Sequence, residues 1–252
     1  GPGGAQVGSL DIPITVDAVN DAPVLTLADL TASTDEDTLL TFSASNSNQI
    51  SVADIDVLQS PGNGRVRVTL SVTSGALTLS TLNNITIDSG ANSSGSMTFS
   101  GPIGNINVAL NGLVYLPTDG FNGLDTLNVL VSDLGNSGSM PMGVTELTDS
   151  GAVAITVVAV NDAPVNTVPG TQSTTEDTPI SFSPSNTTPN AITISDEDAG
   201  TDSVDVTLDV TNGALVLGSV MGLDFGQSGG DSDGSDGTLR FQGPVSSINT
   251  AL

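Results

Sequence analysis

The 252-residue chain carries 28 acidic residues against three basic ones, Arg65, Arg67 and Arg240, for a formal net charge of -25. That balance excludes nucleic acid and anionic membrane surfaces as partners, since binding there relies on Lys and Arg displacing counterions from phosphates. His and Cys are both absent, which removes the common zinc ligands, disulfides and the usual general base of a Ser triad, so no enzymatic activity is expected.

Despite its charge the chain is 37% hydrophobic, too apolar for a disordered acidic segment, and it is expected to fold. Self-repulsion on this scale makes a cation the partner to look for. No apolar run is long enough to cross a bilayer as a helix, so no membrane insertion is expected.

In chain order, IPITVDAV (Ile12–Val19) alternates apolar and polar residues as a strand does. AVNDAPV follows at Ala18–Val24, a polar stretch whose Pro holds the chain extended. TDEDTLLTFS from Thr34 and ISVADID from Ile50 lead to VRVTLSV from Val66 and GALTL from Gly75. Then come FSGPIGNINVAL ending at Leu110, TLNVLVS from Thr126 and VAITVVAV from Val153. The short runs are rich in β-branched residues, bounded by Gly, Asn, Asp and Ser, and none has a helical period, so strands without helices are expected. That pattern predicts an all-β fold, an antiparallel Greek-key β-sandwich. Aromatic residues are few, and Phe42, Phe99, Tyr115 and Phe121 are the expected core anchors.

The chain then repeats itself. AVNDAPV returns at Ala159–Val165; TTEDTPISFS from Thr174 matches the segment at Thr34, and ITISDED from Ile192 matches that at Ile50. VTLDVTNGALVL at Val206–Leu217 matches Val68–Leu79, and FQGPVSSINTAL ending at Leu252 matches the stretch ending at Leu110. Collinear pairs at a nearly constant offset are the mark of tandem modules. The expected organisation is the terminal strand of a preceding repeat in residues 1–20, a complete repeat in 21–162 and a following repeat, cut short, in 163–252.

Acidic and amide groups recur at the strand ends of both copies. In the first they are Asn20 and Asp21, Glu36, Asp54 and Asp56, and Asp133; in the second, Asn161 and Asp162, Glu176, and Asp196 and Asp198. A single Asp beside Gly or Pro is ordinary turn chemistry. The same set in the same order twice points instead to Ca²⁺, which takes six to eight oxygen ligands from carboxylates, amides and carbonyls. GGDSDGSDG from Gly229 also has closely spaced carboxylates, but its counterpart in the first copy has only Asp88, and a hairpin loop is expected there. The sequons at Asn84, Asn92 and Asn186 are short motifs that arise by chance.

VNDAP, the paired Asp of ADID and the VSDLG after a strand resemble the cadherin-like repeats. EDTLLTFS, TSGALTL, YLPTDGFNGLDTLNVLVSD and ITVVAVNDAP are similar to the tandem cadherin-like repeats of large bacterial surface adhesins, of the RTX-adhesin and VCBS type, related in pattern to chondroitin sulfate proteoglycan repeats. The resemblance implies cadherin- or Ig-like modules that act as calcium-stiffened spacers of a long extracellular, cell-surface protein in adhesion and biofilm, with neighbouring repeats as partners. It places Asn20, Asp21, Asp54, Asp56 and Asp133 at one junction, and Glu36 with Asn161, Asp162, Asp196 and Asp198 at the next. The alternative is an adhesive module that binds a glycan or a second copy of itself, with an exposed aromatic cluster or the segment 134–150 as its contact surface.

Overall fold

The structure is a computed structural model and describes residues 3–4, 11–58, 64–135, 139–140, 143–226 and 235–252. The chain divides into two compact units, Gly1–Ala159 and Val160–Leu252. Unit 1 contains β1 (Val24–Leu27), β2 (Thr31–Asp35), β3 (Leu40–Phe42), β4 (Ile50–Ala53), β5 (Arg65–Ser71), β6 (Gly75–Thr78), β7 (Thr86–Gly90) and β8 (Ser96–Pro102). Helix α1 (Ile103–Leu110) follows, then β9 (Leu113–Pro117), β10 (Gly123–Ser132) and β11 (Thr148–Val158).

These strands form the layers of a β-sandwich. One sheet has the order β2-β11-β10-β5-β8-β7; β3-β9-β6 and the pair β1-β4 form the facing layer. Successive strands cross between layers as in a Greek key rather than forming a simple meander. The alternation read in the sequence decides which side chains enter the core. Val66, Val68 and Leu70 of β5, Leu127, Val129 and Val131 of β10, and Val153, Ile155 and Val157 of β11 all point inward. They meet Phe42, Ile50, Val52, Leu77, Leu113 and Tyr115 from the opposing layer. Phe42, Phe99 and Tyr115 are fully buried anchors, and Phe121 packs against the cluster from its rim. Where β1 crosses β11, a Cβ at Gly151 would come within 2.8 Å of the Leu27 side chain, so glycine lets the layers close there.

Two features depart from a purely antiparallel, helix-free sandwich. GPIGNINVAL turns into α1, because Pro102 enters at φ -56 and Ile106, Ala109 and Leu110 then share one buried face. A helix of eight residues is too short to print a clear 3.6-residue period. The second departure is β2, which runs parallel to β11, with Ala154 opposite Thr31 and Val158 opposite Asp35.

Unit 2 contains β12 (Val165–Thr167), β13 (Thr193–Ser195), β14 (Ser203–Asp209), β15 (Leu215–Val216), β16 (Ser235–Asp236), β17 (Thr238–Pro244) and α2 (Val245–Ala251). Its core gathers Ile194, Val206, Phe225, Leu239, Phe241 and Ile248. The matching sequences fold alike, with β14 on β17 as β5 is on β8, and a short helix after Gly-Pro in both units. No helix among the described residues is long and apolar enough to cross a membrane.

The matching helices also share one side-chain device. Asn107 of α1 accepts from the Val52 amide at 2.8 Å and donates to the Val52 carbonyl at 2.8 Å. Asn249 of α2 makes the same two bonds with Ile194, both at 2.8 Å. A carboxamide offers one donor side and one acceptor side, so it can complete the backbone of a strand whose edge has no strand partner at that point. The clamp seats β4 and β13, and each of those strands ends at the paired Asp of its copy.

Candidate metal-binding site

In unit 1 the strands place one group of acidic residues at one end of the sandwich. Asp133 directly follows β10 and is fully buried, Asp54 and Asp56 follow β4, and Asn20 and Asp21 lead into β1. Asp133 Oδ1 accepts from the amides of Gly135 and Leu147, both at 2.8 Å, while its Oδ2 accepts from Asn20 Nδ2 at 2.5 Å. Asp56 Oδ2 accepts from the Asp21 amide at 2.6 Å, and Asp54 Oδ1 accepts from the Asp56 amide at 2.9 Å. The linker is therefore tied to the paired Asp on one side and to the end of β10 on the other.

The remaining oxygen of Asp54 differs from these. Oδ2 is shut off from solvent and has no hydrogen-bond partner. Burial raises the pKa of this carboxyl; the Asp56 amide pulls it back, and the charges of Asp56 and then Asp133 push it up again. A desolvated carboxylate oxygen facing two like charges is the donor chemistry that a hard cation satisfies. Among the described residues, no three acidic side chains stand in a ready-made metal cluster. The polar side chains here are mixed instead, with the Asn20 carboxamide beside the carboxylates, and Ca²⁺ accepts carboxylate and amide oxygens together.

Unit 2 reproduces the arrangement. The Asp162 amide donates to Asp198 Oδ2, as that of Asp21 does to Asp56. The Asp198 amide donates to Asp196 Oδ1 at 3.2 Å, as that of Asp56 does to Asp54. Asn161 Nδ2 reaches the Asp162 carbonyl at 2.8 Å, as Asn20 Nδ2 reaches that of Asp21 at 3.4 Å. In unit 2 Asn161, Asp162 and Asp198 are exposed and Asp196 is half-buried, whereas Asn20 is 5% and Asp56 2% exposed in unit 1.

Glu36 stands elsewhere. It follows β2, its amide donates to the Val158 carbonyl at 2.9 Å, and it is 4% exposed. Asp133 lies beside Leu147 at the start of β11, and Glu36 lies at its end. Eleven residues of strand put about 35 Å between them. Glu36 thus belongs to the end of unit 1 from which the chain leaves toward Asn161. Glu176, its counterpart, is exposed, because residues 171–175 have no strand assignment, whereas β2 is held by β11.

Comparison with known proteins adds little to this geometry. No family model and no curated protein matches the chain. Among solved structures it is similar to the ASH/PapD-like domain 7 of human CEP192, at 12% identity and a TM-score of 0.27, over 62% of this chain and 98% of that one. It is also similar to the C-terminal domain of the Streptococcus agalactiae AgI/II polypeptide BspA, at 10% identity and a TM-score of 0.24, over 91% of this chain and 85% of that one. At these scores neither likeness carries an argument.

One buried carboxylate escaped the sequence reading. Asp125 occupies a core-facing position of β10, where Leu127, Val129 and Val131 follow it inward. Its Oδ1 accepts from the Thr73 hydroxyl at 2.6 Å, the Thr126 amide at 2.7 Å and the Thr73 amide at 3.0 Å. Its Oδ2 accepts from the Ser74 amide at 2.9 Å and lies 3.0 Å from the Tyr115 hydroxyl, which is also 3.0 Å from the Ser74 carbonyl. Burial alone would raise its pKa, but the bonds from Thr73, Ser74 and Thr126 outweigh it and hold the group at about 2. Burial, together with Asp125, pushes the Tyr115 hydroxyl up. Both Asp125 oxygens are saturated by donors, so this carboxylate is a structural hub and has no room for an ion. The visible signal was an acid on the inward phase of an alternating strand.

Arg67 pairs with Glu146 at 2.5 Å, and Glu146 also accepts from the Ser132 hydroxyl at 2.7 Å. That carboxylate is engaged beside Asp133 and is not part of the donor set. Residues 229–234, where Asp231 and Asp233 lie, and residues 136–138 and 141–142 of the segment 134–150 fall outside the described residues.

Proposed function

We propose that the chain is a pair of calcium-stiffened spacer modules from a long extracellular adhesin, with Ca²⁺ held at module ends and no enzymatic role. The observation that carries this reading is Asp54 Oδ2, a buried carboxylate oxygen without a hydrogen-bond partner, on a carboxyl whose pKa is raised by burial first and then by the charges of Asp56 and Asp133. Asn20, Asp21, Asp54, Asp56 and Asp133 supply the donors in unit 1; Asn161, Asp162, Asp196 and Asp198 do so in unit 2, with Glu36 and Glu176 contributing at the exit ends of their modules. The ion would neutralise charge that otherwise repels and would tie the linker to the strand ends. The linker contacts shared by both units support a common role.

Extracellular calcium modules bind at roughly 10⁻⁴ to 10⁻³ M, so the sites would empty in cytosol and fill outside the cell. Calorimetric titration of the chain with Ca²⁺ tests binding, and small-angle scattering with and without chelator tests stiffening. Saturable binding with a longer, narrower distance distribution in calcium is expected. Absence of binding at 10-fold above about 10⁻³ M refutes the reading. The alternative, an adhesive module for a glycan or a second copy, called for an exposed aromatic cluster or the segment 134–150 as its contact surface; every aromatic side chain here is buried or half-buried, which leaves it the segment 134–150.

A further inference from the structure

Asp133 is tied at the end of β10 on two sides. On the buried side its Oδ1 accepts from the Leu147 amide at 2.8 Å, and the Asp133 amide donates to the Leu147 carbonyl at 3.1 Å. That pair lies just past the last registered pair of β10 and β11, Ser132 with Thr148, and the ends of a ladder open more readily than its middle. The orientation of Asp133 thus depends on how firmly Leu147 is held.

A second set of bonds holds it from the solvent side. Glu146, the residue before Leu147, accepts at Oε2 from the Ser132 hydroxyl at 2.7 Å and from Arg67 Nη2 at 2.5 Å. Ser132 Oγ accepts in turn from the Leu134 amide at 3.2 Å. Arg67 reaches Glu146 across β10 because β5 sets it opposite Ser132. The side chains of Arg67 and Glu146 are 36% and 37% exposed, and such a pair adds little to global stability. Groups that orient a metal ligand from behind matter more, commonly about tenfold or more in affinity. The charge of Arg67 is not what serves the ion, since a cation beside a calcium site opposes binding. Nor does the repeat pattern carry this device: Val68–Leu79 matches Val206–Leu217, which puts Asp205 where unit 1 has Arg67.

We propose that Arg67 and Glu146 are positioning residues for Ca²⁺ in unit 1, a latch that keeps the Leu147 amide on Asp133 Oδ1 and so holds Asp133 Oδ2 where it meets Asn20. The proposal rests on the calcium reading above and adds two residues that touch no ion. It also makes affinity a property of the individual module, since a module with Asp in place of Arg67 has no such latch.

An NMR titration of the isotopically labelled full chain with Ca²⁺ tests this, with the Gly135 and Leu147 amide signals reporting on unit 1 alone. Arg67→Met and Glu146→Gln should each weaken binding by about threefold to tenfold. Arg67→Lys keeps the charge without the planar fork and should fall between them and the parent. Charge alone predicts the opposite for Arg67→Met, because removing a cation would favour the ion. In chelator, exchange of the Leu147 amide with solvent should quicken in Arg67→Met by about threefold or more, as an opened ladder end allows. An Arg67→Met chain that binds Ca²⁺ as tightly as the parent or tighter, or that leaves Leu147 exchange unchanged, overturns the proposal while the calcium reading stands. A parent chain that binds no Ca²⁺ overturns both.

Discussion

Replacing Asp54 with Asn separates the role of its charge from that of its shape. The Asn carbonyl can still accept from the Asp56 amide, now at 2.9 Å from Asp54 Oδ1, so the turn after β4 should persist. What disappears is a negative charge disfavoured first by burial and then by the like charges of Asp56 and Asp133. Without calcium, Asp54→Asn should therefore be as stable as the parent chain or more so. With a dissociation constant of roughly 10⁻⁴ to 10⁻³ M, about 10 mM Ca²⁺ should stabilise the parent unit by about 1.4–2.7 kcal/mol through mass action. For a unit of this size that is about 3–10 °C in melting temperature. Calorimetric scans in calcium and in chelator should show that rise for unit 1 of the parent and little or none for Asp54→Asn. An equal calcium shift in both proteins would refute Asp54 as a ligand and, with it, the placement of the ion.

Glu36→Gln should leave that calcium shift of unit 1 intact, because Glu36 sits at the opposite end of β11; the same scans check it. Asp125→Ala should cost about 3 kcal/mol, since it strands the Thr73 and Ser74 amides and leaves the buried Tyr115 hydroxyl only the Ser74 carbonyl as acceptor; urea unfolding measures it. The Asp125 pKa is depressed to about 2, so its stabilising contribution is complete above its unfolded pKa of about 4 and is lost as pH falls through about 2. The stability difference between the parent and Asp125→Asn, followed by urea unfolding, should shrink across that window. Asn107→Ala should destabilise unit 1 by about 2 kcal/mol by leaving both backbone groups of Val52 unpaired, and Asn249→Ala should do the same to unit 2.

The sandwich was legible because its strands obey one rule. VRVTLSV alternates, and β5 shows strictly alternating burial. Matched sequence in the two units also carries matched backbone, down to the positive φ of Asp37 and Asp177. The helices were not legible, since eight residues entered from Pro and flanked by strands leave only two helical turns of pattern. Yet the Asn of INVAL and INTAL, held constant between copies, was a signal that went unread. Its meaning lies in an unpaired strand edge that no local pattern reveals. The clustering of Asn20, Asp21, Asp54, Asp56 and Asp133 depends on contacts between residues far apart in sequence, which spacing alone does not supply. The contrast between buried Glu36 and exposed Glu176 is of the same kind: identical local sequence, but a neighbouring strand beside only one of them.

The parallel pairing of β2 with β11 bears on how a module would resist being pulled. Tension drawn backward along β2 and forward along β11 slides the two strands past each other instead of peeling them apart. All five registered pairs from Thr31 to Asp35 are then loaded together, so the ladder yields only when the whole set gives way. An antiparallel hairpin in the same place would open rung by rung. The one exception to antiparallel order in this sheet is thus the joint that shares a load most evenly.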